Sequence, residues 1–239
     1  MAWFWRKKKK ETPAYRVTPR KESPPSSKVD VSALTPPAAD FLASACVIQL
    51  TAASELAVVS SEAWSAEDAD ALMVASGMAM DRYRALRALL ADYDKDVSGA
   101  LATPRHKLSG HLERLVTTRW YERVGTIYVV SGLTRDFWLL LAGGLPKALK
   151  ARVTEILRDD GDEELLAGVL ERMLQVDARY VSRLSLWARR LVGDAMLICK
   201  DGLAEAIVSA DDAVARLEPI FTDVLAAHTS RLERVGLTA

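Results

Sequence analysis

The sequence predicts an all-α protein, a bundle of four long helices followed by additional C-terminal helices. Three observations carry that prediction. Apolar residues recur at three- and four-residue spacing through most of the chain after residue 37. No segment shows the two-residue alternation of a strand. Half of the 239 residues are hydrophobic, enough to fill a sizeable core.

Taken in order, the pattern begins after Pro36-Pro37, residues tolerated in the first turn of a helix. A helix is expected over 38–64, with Leu42, Ala45, Gln49, Ala52, Leu56 and Val59 facing inward, so the amide of Gln49 falls in the middle of an apolar face. Ser65 with Asp68 three residues later resembles a capping box and opens a second helix over 65–93. Its inward stripe is Leu72, Ala75, Ala79, Arg82, Leu86 and Leu90, which sets a charge on or beside the core. A looser stretch over 94–118 holds a short helix around 105–115. A third long helix follows over 119–142, with Val124, Tyr128, Ser131, Thr134 or Arg135, Trp138 and Leu141 in register, and Gly143-Gly144 stops it.

Pro146 starts a fourth stretch, through Val153, Ile156 and Leu157, that meets the polar residues 158–162 before apolar spacing resumes at Leu165, Val169 and Met173. Either the helix ends there or it tolerates Gly161 at a cost of about 1 kcal/mol, and the expectation is tolerance, with room for a kink. Two more helices are expected over 178–200 and 211–235, the last capped by Gly236.

Residues 1–37 stand outside this pattern as a basic, Pro/Ser-rich tail and linker with too little apolar surface to offset ordering entropy, leaving 38–239 as the bundle domain. The formal net charge of zero hides an asymmetry, since residues 1–30 hold nine basic and three acidic side chains and the remainder 23 and 29. A mildly acidic bundle is a poor candidate for binding nucleic acid over its whole surface. The tail is where an anionic partner would be sought: Trp3, Phe4 and Trp5 directly precede Arg6, Lys7, Lys8, Lys9 and Lys10. Aromatics suit the lipid headgroup region, and lysines attract anionic lipid at about 1 kcal/mol each. The same residues would serve a nucleic acid by stacking and phosphate contact, or form a solubilising tail with no partner. Ala2 excludes the myristoylation motif.

Cys46 and Cys199 lie far apart, with no metal-ligand spacing and no secretory signal beside them, which suits a reducing cytoplasm. No uninterrupted run reaches the eighteen or so apolar residues of a membrane span, so localisation is expected to be cytoplasmic, with the tail able to hold the protein at the inner membrane face. Phosphate loops, dinucleotide fingerprints, zinc-type cysteine pairs and Ser/His/Asp arrangements are absent.

The string from Arg183 to Ala195, Arg-Leu-Ser-Leu-Trp-Ala-Arg-Arg-Leu-Val-Gly-Asp-Ala, and a second from Ala227 to Leu237 resemble an actinobacterial ferritin-like family similar to tRNA (methylthio-isopentenyladenosine) hydroxylases. Shorter matches are Asp40-Phe41-Leu42, Asp136-Phe137 and Asp159-Asp160-Gly161. The resemblance covers residues 40 to the end and implies a ferritin-like four-helix bundle with additional C-terminal helices. In such bundles a di-iron site takes one carboxylate from each of two helices and a carboxylate-x-x-His pair from each of the other two. Carried onto this chain, the resemblance puts the first-helix carboxylate at Gln49 and the second-helix pair at Ala79 and Arg82. The third-helix carboxylate falls at Ser131 and the fourth-helix pair at Asp159 and Asp162, which leaves Asp159 as the one plausible ligand.

An independent check agrees, because none of the three histidines, His106, His111 and His228, stands three residues after an acid. A guanidinium at Arg82 would also repel a cation. Arg82 has two readings: a fixed cation paired with Asp159 and Asp162, or a side chain at the stripe's edge with its head in water and its stem over apolar surface. The second is the expectation. Gln49 is expected to be a satisfied core amide, Ser131 a small packing residue, and His106 and His111 surface histidines. Arg189 and Arg190 are expected to serve packing and ion pairing.

The functional expectation is a non-catalytic structural or interaction module without catalytic residues or cofactor. A protein partner or a second copy bound along the last two helices is an open prospect. The alternatives are a di-iron oxidoreductase of the tRNA-hydroxylase type and an RNA- or membrane-associated module acting through the tail.

Overall fold

The computed structural model describes residues 31–203 and 213–238, and the expectations for residues 1–30 lie outside the described residues. Among the described residues the regular structure is helical, with no strand. The helices are α1 (Ala38–Ser61), α2 (Ala66–Leu90), α3 (Val97–Ala100), α4 (Ala102–Leu115), α5 (Trp120–Leu141), α6 (Lys147–Leu157), α7 (Gly161–Val176), α8 (Arg179–Asp201) and α9 (Ala213–Arg234). α1 packs on α2, α2 on α7, α7 on α5 and α5 back on α1, so these four close a ring around one core. α8 lies against α5 and α4, and α9 lies on the outer side of α5.

The local signals act as their chemistry requires. Ser65 caps α2, its side chain accepting from the Asp68 amide at 3.0 Å while its hydroxyl donates to the Asp68 carboxylate at 2.8 Å. Gly236, at φ +75°, closes α9 in a Schellman turn: its own amide donates to Glu233 and that of Leu237 donates to Leu232. Gly143-Gly144 ends α5 in a single 3₁₀ turn. The predicted stripes of α1 and α2 are buried apart from Ala52, which is half-exposed. Cys46 and Cys199 are buried free thiols; burial pushes the Cys46 thiol up to about 12 and that of Cys199 higher still.

The fourth predicted helix is a correction. It breaks into α6 and α7, with residues 158–160 outside both. The new helix starts at Gly161, whose amide donates to Asp159 Oδ1 at 3.3 Å, while the amides of Glu163 and Glu164 donate to the Asp160 carbonyl. Local propensity allowed continuity, but a tertiary contact decides against it: the break turns the Asp159 carbonyl toward Arg82 of α2. The α1 and α2 ends also fall three residues earlier than expected.

Windows within Ala38–Ser61 and Trp120–Gly144 reach mean hydropathies of 1.7 and 1.2, long and apolar enough to cross a membrane by length and composition, although neither is an uninterrupted apolar run. Half and two-thirds of those windows are buried inside the bundle, the pattern of core helices.

Gly132 permits the docking of α9 on α5. A Cβ there would stand 2.6 Å from Arg231 Nε and 2.7 Å from its Cζ, and Arg231 is held by Asp136 at 2.7 Å and Glu163 at 2.9 Å. Gly132→Ala is therefore expected to cost about 1–3 kcal/mol. Urea unfolding of the variant and of the same change in an Arg231→Ala background checks this. Equal losses in both backgrounds would show that the clash is not the cause.

Candidate functional site

Gln49 on α1 and Arg82 on α2 each occupy the centre of an apolar stripe, and Asp162 enters from the first turn of α7. Folding the ring brings all three to one place, with Arg135 of α5 as a fourth. Their relative exposures are 7% for Gln49, 5% for Arg82, 2% for Asp162 and 6% for Arg135. Charges at such depth persist only when paired and hydrogen-bonded.

The pairing is close to complete. Arg82 Nε donates to Gln49 Oε1 at 2.8 Å, and Nη1 donates to the Asp159 carbonyl at 3.1 Å and Asp162 Oδ1 at 3.2 Å. Nη2 donates to Asp162 Oδ2. Arg135 Nη2 donates to the other oxygen, Asp162 Oδ1, at 2.8 Å. One carboxylate thus sits between two guanidiniums from different helices, tying α2, α5 and α7 together, with α1 joined through the amide. The network continues outward: Arg135 Nη1 stands 3.6 Å from Glu163 Oε2, while Arg231 and Arg234 of α9 reach Glu163 at 2.9 and 2.7 Å. Tyr128, its hydroxyl donating to the Arg231 carbonyl at 3.0 Å, has a pKa raised by burial.

These distances overturn the edge-of-stripe reading of Arg82: its head is buried and paired. Asp159 is corrected too, since it supplies its backbone carbonyl and keeps its side chain exposed, holding the Gly161 amide. Ala79 is a fully buried packing residue, and Ser131 donates its hydroxyl to the Ile127 carbonyl within α5. Gln49 is a core amide, as expected, and its oxygen accepts from Arg82. His111 is tied to Asp201 at 2.7 Å, joining α4 to α8. Arg190 stacks over Trp187, 5.0 Å from its ring centroid, and Arg189 donates to Thr238 Oγ1 at 3.1 Å; both guanidiniums lie on the exposed face of α8.

Sequence reasoning missed Arg135 and Glu163 as members of the cluster. Arg135 sat in the helical register of an inward stripe, and Glu163 belongs to the acidic first turn of α7. Those were the available signals, and neither said which cation the acids would meet.

A cavity of about 620 Å³ opens beside the cluster between α1, α4 and α5. Gln49, Arg82, Arg135 and Asp162 form its deep end, with Ser131 and Thr134 nearby. Its walls are apolar, from Ile48, Leu108, Leu112, Ile127, Val130 and Ile198, and its outer rim includes the exposed Glu55, Glu113 and Val116.

A closed ring of four helices, with α8 and α9 added outside and a polar cluster at mid-core, defines a ferritin-like bundle. The family described as a ferritin-like domain of actinomycetes matches residues 35–217, and the chain belongs to that family. No curated protein matches the chain.

The donor set does not fit a pair of metal ions. Among the described residues Asp162 is the only carboxylate side chain in direct contact with Arg82, both its oxygens are held by guanidiniums, and two fixed positive charges would repel a cation. Among the described residues no group of three or more His, Cys, Asp or Glu is arranged to hold a metal.

Proposed function

We propose that this protein is a non-catalytic ferritin-like module, in which an Arg82–Asp162–Arg135 bridge with Gln49 stands where relatives would carry di-iron ligands. The single observation that supports it is the full commitment of the Asp162 carboxylate to two buried guanidiniums. A bridge of this kind holds helices in register, whatever its net stabilisation. The role left to such a bundle is structural or interactive, with a protein partner or a second copy on the exposed apolar side chains of α8 and α9, such as Leu186, Leu197 and Leu225.

Elemental analysis of untagged protein, purified aerobically and then incubated with ferrous iron, tests this reading. Iron at background is the expected result. About two irons per chain would overturn it and favour the second reading, a di-iron oxidoreductase related to tRNA hydroxylases, which rests on the strings at Arg183 to Ala195 and Ala227 to Leu237.

The basic tail supports a separate role in location, cytoplasmic with weak contact to anionic lipid or nucleic acid, carried by its sequence alone.

A further inference from the structure

Gln49 is 7% exposed, and the two polar atoms of its amide meet different surroundings. Oε1 accepts from Arg82 Nε at 2.8 Å. That contact fixes the orientation of the amide, because a guanidinium N–H has to face the oxygen and not the NH₂. Nε2 is therefore turned away from Arg82, and it donates to no acceptor among the described residues. Arg135 Nη1 also lacks a partner, but it is sealed in the core; Gln49 Nε2 is not among the sealed atoms and so keeps accessible surface. An accessible, unpartnered NH₂ on a residue buried this deeply opens on the cavity between α1, α4 and α5, which Gln49 lines.

The lining of that cavity carries no net charge. Its cations, Arg82, Arg123 and Arg135, are balanced by Glu55, Glu113 and Asp162. Both guanidiniums at the deep end are engaged by Asp162, while Arg123 stands 3.7 Å from Glu55 and 2.7 Å from Glu62. Glu113 lies at the exposed rim, where water screens it. The hydroxyls of Ser131 and Thr134 donate to the helix carbonyls of Ile127 and Val130. An ionised head would find no free counter-charge at the deep end, whereas an uncharged oxygen finds the Gln49 NH₂. The volume of about 620 Å³ falls in the range of small-molecule sites, and the walls above the amide are apolar.

We propose that this cavity binds an uncharged alkyl molecule with one hydrogen-bond-accepting oxygen, such as a long-chain ketone. Its chain lies along the walls of α1, α4 and α5, and its oxygen accepts from Gln49 Nε2. This adds a small-molecule site to the module, separate from the exposed side chains of α8 and α9.

Methyl nonyl ketone, titrated calorimetrically into the full-length protein, tests the proposal, with undecanoate and undecylammonium as chains of similar length that end in a charge. The expected result is saturable one-to-one binding of the ketone, at least about tenfold tighter than either ion, because each ion would leave water for a site without a free counter-charge. Gln49→Glu keeps an oxygen for Arg82 Nε and replaces the NH₂ with a second acceptor. It is expected to weaken the ketone by about fivefold or more. Ala52→Trp places bulk on the half-exposed α1 wall of the cavity and is expected to weaken the ketone by about tenfold or more, with the helical circular dichroism retained. If Gln49→Glu fails to fold, the two ions and Ala52→Trp still decide the outcome. Either ion binding as tightly as the ketone, multi-site uptake, no saturable binding up to the solubility of the ketone, or a folded variant that binds unchanged would each overturn the proposal.

Discussion

Replacing Asp162 with alanine is expected to destabilise the bundle by about 3–5 kcal/mol, because it leaves two guanidiniums buried with no carboxylate between them. The loss does not mean that the ion cluster stabilises the fold by that amount. Desolvating three charges costs several kcal/mol per ion, and the pairing returns much of it, so the net contribution is small. Removing the charges together separates the two quantities. The triple variant Arg82→Met, Arg135→Met, Asp162→Leu, which keeps similar volume without charge, is expected to fall between neutral and about 4 kcal/mol more stable than the natural chain. Denaturant unfolding of the single and triple variants checks both. A triple variant as damaged as Asp162→Ala would mean that the cluster's net contribution is large and the reasoning wrong.

Stability is expected to fall on acidification from about pH 6.5 to about pH 4, with His228 as a contributor. Its ring is 2% exposed and neither nitrogen has a hydrogen-bond partner among the described residues. Burial first, and then the positive charge of Arg231, push its pKa down from 6.5 to about 4. Between those values the unfolded chain binds a proton that the folded chain refuses. The neutral ring's advantage is therefore fully present above pH 6.5 and is lost as pH falls to about 4, a total of about 3 kcal/mol. His228→Leu is expected to remove this component and to leave stability at pH 7 unchanged or raised, since two unpartnered polar atoms leave the core. Urea midpoints of both proteins from pH 4 to 7.5 decide it: the curves should converge at neutral pH or differ by a constant there, and diverge in acid. Parallel curves throughout would show that His228 is not the titrating group.

Much of the fold was legible before folding because its signals are local. Helical spacing needs only neighbours three and four residues apart, so it places the stripes of α1 and α2, Ala52 apart, including the positions of Gln49 and Arg82. Caps are equally local, and Ser65 and Gly236 behave as their chemistry predicts. The break between α6 and α7 was not legible in this way. Residues 158–162 allow a continued helix or a stop, and the choice turns on the Asp159 carbonyl finding a guanidinium from a helix 77 residues away in sequence.

The candidate site divides along the same line. Sequence alone put a charge and an amide on inward stripes and showed that no histidine stands three residues after an acid, facts that depend on order and spacing. It gave no reason to place the Arg82 head in the core, because a long side chain at a stripe's edge reaches water as easily as it reaches a partner. Only the closed ring of α1, α2, α5 and α7 settles this, by bringing Asp162 and Gln49 to the guanidinium and shutting water out. Arg135 and the cavity beside it are tertiary outcomes for the same reason. Whether a buried charge is paired, shared or left with a free donor depends on which groups other helices deliver, and helical periodicity carries no information about that.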